Sequence, residues 1–117
     1  MDTAEQYEQQ ERAARSRDDR PLLGHALRHL SEILLGRSEP EAALRKADEA
    51  VELYRALKPA RPLDLANALR LRALALGGGG RADMALTAWR EARSLYQAEG
   101  VAEGVAECDV HLTDLSG

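Results

Sequence analysis

Ala43-Leu44-Arg45-Lys46-Ala47-Asp48-Glu49-Ala50-Val51-Glu52-Leu53-Tyr54 returns 42 positions later as Ala85-Leu86-Thr87-Ala88-Trp89-Arg90-Glu91-Ala92-Arg93-Ser94-Leu95-Tyr96, with Ala-Leu, Glu-Ala and Leu-Tyr in the same places. The same shift carries Leu23, Ala26-Leu27-Arg28, Leu34 and Gly36 onto Leu65, Ala68-Leu69-Arg70, Leu76 and Gly78. A constant period without insertion marks a repeat architecture, in which one helical unit recurs and buries its apolar face against the next. Stacked units of this kind build extended surfaces suited to holding other proteins.

The rest of the chain agrees with a helical reading. Its 117 residues are 44% hydrophobic and 31% charged, enough for one small domain with a core. Aromatic residues make up only 3% and Phe is absent, so Leu and Ala must supply the packing. These are strong helix formers, whereas β-branched residues are scarce. A net charge of −4 with both signs interspersed argues against nucleic acid as a partner. No apolar run approaches the ~20 residues of a membrane span, so no membrane partner is expected. The acidic, polar start Met1-Asp2-Thr3-Ala4-Glu5-Gln6 does not read as a secretory leader. A single cysteine, Cys108, excludes an internal disulfide and a cysteine-cluster metal site. The expectation is a cytoplasmic helical domain without a cofactor.

Apolar spacing and punctuation predict six helices. The first runs from about residue 3 to 17 with a thin apolar side of Tyr7, Ala13 and Ala14. The second places Leu23, Leu27, Leu30 and Leu34 on one face and breaks at Gly36-Arg37-Ser38. Ser38 with Glu41 fits a capping box for the third helix, about 39–57, which should bury Ala43, Ala47, Ala50, Val51 and Tyr54. Lys58-Pro59-Ala60-Arg61-Pro62 ends it, because neither proline can continue the hydrogen-bond ladder. The fourth (about 63–76) and fifth (about 81–99) repeat the second and third, with Trp89 where Ala47 stands. The sixth, about 101–115, has a stripe of Val101, Val105, Cys108, Leu112 and Leu115, but its register against the earlier units is ambiguous, because shifts of 39 and 40 both align some apolar residues.

Helix pairs with Ala-Leu near the start of the second helix and Glu-Ala-x-x-Leu-Tyr further along resemble the tetratricopeptide repeat. Ala43 and Ala85, Ala50 and Ala92, and Leu27 and Leu69 match that family's small and large packing positions. Three features depart from its pattern. The period is 42 where 34 is usual, as in the kinesin-light-chain-like branch. The large position filled by Leu30 becomes Arg72, and the usual neighbouring Gly is Ser31 or Ala73. HEAT and armadillo repeats are nearer in period, but their signature residues are missing. The resemblance implies an all-α fold of about six helices, with antiparallel pairs stacked in a right-handed superhelix. One domain, 1–117, would divide into a half repeat (3–18), two repeats (19–60 and 61–100) and a C-terminal capping half repeat (101–117).

Several patterns in the chain have the outline of chemistry. His25, His29 and Glu32 share one side of the second helix and could grip a metal, but there is no His-Glu-x-x-His motif and His111 is remote. No metal is expected. Gly77-Gly78-Gly79-Gly80 lacks the ending of a phosphate loop and follows a helix, so it reads as a flexible turn. Cys108 has no neighbouring cation to activate it and reads as a buried apolar residue. Trp89, Tyr54 and Tyr96 have the helical phase of core residues. No nucleophile–base constellation stands out, so the chain is expected not to be an enzyme.

What remains is the groove that the resemblance implies, lined by the first helix of each pair. On this chain it would present His25, Arg28, His29 and Glu32 from one unit, and Asn67, Arg70, Leu71 and Leu74 from the next. Arg28 and Arg70 recur at equal phase, and an arginine fork suits a carboxylate, so the expected guest is an acidic peptide or a C-terminal carboxylate. Alternatively, the two arginines merely pair with nearby Asp or Glu. The function expected is that of a non-catalytic scaffold binding a peptide or partner protein. A homodimer or larger assembly formed through the terminal helices is the second reading, and a small-ligand or peptide-signal sensor the third.

Overall fold

Six helices follow one another in the computed structural model, which describes residues 3–116: α1 Thr3–Arg17, α2 Arg20–Gly36, α3 Pro40–Ala56, α4 Pro62–Gly78, α5 Ala82–Ala98 and α6 Ala102–Ser116. The protein is all-α. Its short connections fold each helix back on the one before, and every helix packs on its sequence neighbours. Among the described residues no helix is long and apolar enough to cross a membrane.

The helices form two layers. Helices α2, α4 and α6 lie side by side in one, where α2 and α4 touch directly and ion pairs join Arg28 to Asp64 and Arg70 to Glu107. Helices α1, α3 and α5 form the other, laced by Lys46–Glu11, Arg15–Glu49 and Arg55–Glu91. Between the layers run the repeated packing positions. Leu27, Ala43, Ala50 and Val51 are fully buried, as are Ala85 and Ala92, with Leu69 and Trp89 at 1% exposure. Small residues are needed where the layers cross closely: Ser31 has no exposed surface and donates its hydroxyl to the Ala43 carbonyl at 2.9 Å. The departure at Arg72 is accommodated by charge, with its Nε 3.1 Å from Asp48 Oδ1. That contact is an ion pair without hydrogen-bond alignment, since neither buried atom has a hydrogen-bond partner.

Four connections close in the same way. Asp18, Ser38, Gly80 and Gly100 each take a positive φ just past a helix. The next amide bonds back into the last turn: Asp19 to Ala14, Glu39 to Leu34, Arg81 to Leu76 and Val101 to Tyr96. This satisfies carbonyls that the helix end leaves open. Ser38 and Gly80 are 42 positions apart, so the turn is part of the repeat. It also corrects the expected capping box: Ser38 closes α2, while the residue capping α3 is Glu39, with no side-chain hydrogen bond. Likewise, Gly77 and Gly78 belong to α4, and only Gly80 of that tract needs left-handed backbone.

The ambiguous register of the last helix is resolved by its start. Helices α2, α4 and α6 begin at Arg20, Pro62 and Ala102, so α6 aligns with α4 at a shift of 40. Ala26, Ala68 and Cys108 then share one position, and none has exposed surface.

Candidate functional site

The outer face of the α2–α4–α6 layer carries most of the expected groove residues. On α2, Glu32 is exposed, whereas His25, Arg28 and His29 are half-buried. Tyr7 of α1 lies over both imidazoles: its ring stacks on His29 with centroids 4.6 Å apart, and His25 tilts against His29 at 4.4 Å. Burial, with the nearby charges of His25 and Arg28, holds the His29 imidazole below its ordinary pKa. Among the described residues no group of three or more His, Cys, Asp or Glu is placed to hold a metal.

Both arginines are already engaged. Arg28 lies 3.6 Å from Asp64 and donates from Nε to the Tyr54 hydroxyl at 3.4 Å. Arg70 donates from Nε to Glu107 at 2.6 Å, which raises its pKa further. Asn67 accepts a hydrogen bond from the Tyr96 hydroxyl at 2.6 Å. Burial pushes the Tyr96 hydroxyl up to about 12, so it stays a donor across the neutral range. Leu71 is only 3% exposed and therefore belongs to the packing, offering little to a guest. Leu74 is half-buried and does face solvent.

Leu74 opens onto a cleft of about 270 Å³ between α4 and α6, with Trp89 and His111 at its base and Asp114 and Leu115 on its rim. Trp89 and His111 stack face to face at 4.1 Å. The bare glycines Gly77 and Gly78 form the remaining wall. Sequence reading passed over Tyr7, Asp64, Glu107, His111 and Asp114 as site residues. Once α6 is aligned at a shift of 40, however, Asp114 falls in the same column as Glu32 and Leu74. That alignment was the available clue.

Cys108 has no exposed surface, and burial pushes its thiol up to about 11, with Glu107 and Asp109 acting in the same sense. It is a packing residue and a poor nucleophile.

Comparison with models of known protein families, with curated proteins and with solved structures finds no match for this chain.

Proposed function

We propose that this chain is a non-catalytic, tetratricopeptide-like interaction module that holds a peptide segment or partner protein on the face formed by α2, α4 and α6. The observation that carries this reading is the contrast between the ends of the stack and that face. In α5 the positions of Ala85, Ala88 and Ala92 are buried under neighbouring helices. The positive-φ turn residues Asp18 and Gly100 that follow α1 and α5 are 82 positions apart, so the counterparts in α1 are Thr3, Gln6 and Gln10, which are polar. At the other end, buried Leu69 and Ala73 of α4 correspond to Asp109 and Thr113 of α6, both exposed. Polar substitution at both ends is how a repeat array is capped against further stacking. This favours a guest on the layer face over assembly through the terminal helices.

The reading also suits a scaffold working in the cytoplasm, where a lone buried thiol such as Cys108 stays reduced. The test is to pan a random peptide library on the intact protein. Enriched peptides should lose affinity for Leu74→Arg and keep it for Met84→Arg, a change at an exposed residue of α5. Failure to enrich any peptide, or equal loss with both variants, would sink the proposal.

A further inference from the structure

Glu32, Leu74 and Asp114 form a row across the layer, each twelve residues beyond the first residue of its helix. The middle member overlooks the cleft above the Trp89–His111 stack. The two outer members are exposed carboxylates, and among the described residues neither forms a salt bridge. The arginines of the same face are committed elsewhere, Arg28 to Asp64 and Arg70 to Glu107. Helix α6 contains no Lys or Arg, and its Asp109 is paired with Arg93 of α5. What this face offers a guest is an apolar cleft with the Asp114 carboxylate on its rim, and beyond Leu74 a second exposed carboxylate, Glu32, close enough to Arg70 and His29 to act on their charge.

Resting on the interaction reading above, we infer that the guest is an extended segment of a partner protein with an apolar side chain flanked on both sides by basic ones. The apolar residue seats beside Leu74, and the flanking cations reach Glu32 and Asp114. Packed helices lie about 8–10 Å apart and extended chain advances about 3.3 Å per residue, so the step between the touching helices α2 and α4 spans about three residues; the step across the cleft to α6 is at least as long. The motif is therefore basic-x-x-apolar on the α2 side, with a second basic residue three or more positions beyond on the α6 side, which a heptapeptide with a long cation at each end samples. This reverses the charge expected from the arginines alone, because Arg28 and Arg70 already have carboxylate partners.

The experiment uses an array of capped heptapeptides with Leu at the centre and Lys, Ser or Glu at both ends, measured by fluorescence anisotropy against the intact protein. The Lys peptide is expected to bind about tenfold more tightly than the Ser peptide at low salt, and the advantage should shrink at high salt. The Glu32→Gln/Asp114→Asn protein should lose that advantage and keep its affinity for the Ser peptide. Tighter binding of the Glu peptide, or a Lys advantage unchanged in the double variant, overturns the charge assignment while leaving the interaction reading intact. No binding by any member, together with no enrichment from the random library, overturns both.

Discussion

Arg70 of α4 donates from Nε to Glu107 of α6 across 2.6 Å, and this contact ties the last helix to the layer that carries the candidate site. Each side chain is about one-third exposed, so solvent screening limits what the pair contributes. A double-mutant cycle with Arg70→Ala and Glu107→Ala, read by chemical denaturation, should give a coupling of about 0.5–1 kcal/mol. It should weaken in high salt. A coupling near zero at low salt would show that this pair does not hold α6, leaving packing and the Arg93–Asp109 pair to do so.

Glycine substitutions should separate sharply by place. A Cβ at Gly104 would stand 2.5 Å from Cγ of Tyr96, at the rooted end of a buried ring. Gly104→Ala should therefore cost about 1–3 kcal/mol, seen as a lower Tm. Gly24→Ala meets the far end of Tyr54 at 2.6 Å and should cost less, since that tip can shift. Gly36→Ala meets nothing within 4 Å at the end of a helix and should be neutral or stabilising by up to about 1 kcal/mol.

The Asp48–Arg72 pair occupies a place where the first repeat has Leu30. Burial pushes the Asp48 carboxyl above its ordinary pKa, with Arg72 pulling the other way, so the pair is poorly compensated. The two side chains are 31% and 47% exposed, so solvent screens the pair, and replacing both, Asp48→Ala with Arg72→Leu, should change stability by no more than about 0.5 kcal/mol. Arg72→Leu alone should do slightly worse, because it leaves the half-exposed carboxylate beside an apolar side chain without its cation. Thermal unfolding of the three variants decides the order.

Alkaline pH should destabilise the fold through Cys108. Its thiol has an ordinary pKa of 9.0, and burial raises it to about 11 in the folded chain. The unfolded chain therefore loses this proton first. The thiol's contribution is whole below about pH 9 and disappears as pH rises to about 11. Unfolding free energy measured across that window should fall by an amount of order 1–2 kcal/mol attributable to this group, and Cys108→Ala should flatten the fall. An identical slope in the variant would assign the loss to other groups, with Tyr96 the first to examine.

Acid should loosen α1. Burial works to raise the pKa of Glu11, but hydrogen bonds from Lys46 and Arg15 outweigh it and hold the carboxyl below its ordinary 4.5. A lowered acid contributes stability above that value, and the contribution is lost as pH falls through the folded pKa. Hydrogen exchange in α1 should accelerate below about pH 4.5, and Glu11→Gln should show the faster exchange already at neutral pH. Exchange in α4 should not follow.

Most of the helix plan was legible because the evidence for it is local. Apolar stripes such as Leu23, Leu27, Leu30 and Leu34, and stops such as Gly100 and Lys58-Pro59, depend only on neighbours along the chain. The misreadings were local ambiguities that geometry settles. Ser38 can cap a following helix or close a preceding one, and it takes a φ of 59° to do the second. The glycine tract can be a turn or a helix end, and α4 runs on through Gly78.

The candidate site was legible only in part. Arg28 and Arg70 stood out as a repeated pair, but their availability depends on residues 36 and 37 positions away, at Asp64 and Glu107. Tyr7 covering His25 and His29 is a contact between helices that repeat phase alone does not reveal.

By itself, then, the sequence determined the repeat, the helix count and the residues that pack between layers. These follow from a 42-residue period and from burial patterns written at helical spacing. The tertiary structure alone decided which charges are spent and which remain free. Ion pairing depends on distances of a few ångströms between side chains far apart in the chain. Those distances turned two apparently inviting arginines into stitches between helices and left Glu32 and Asp114 facing outward.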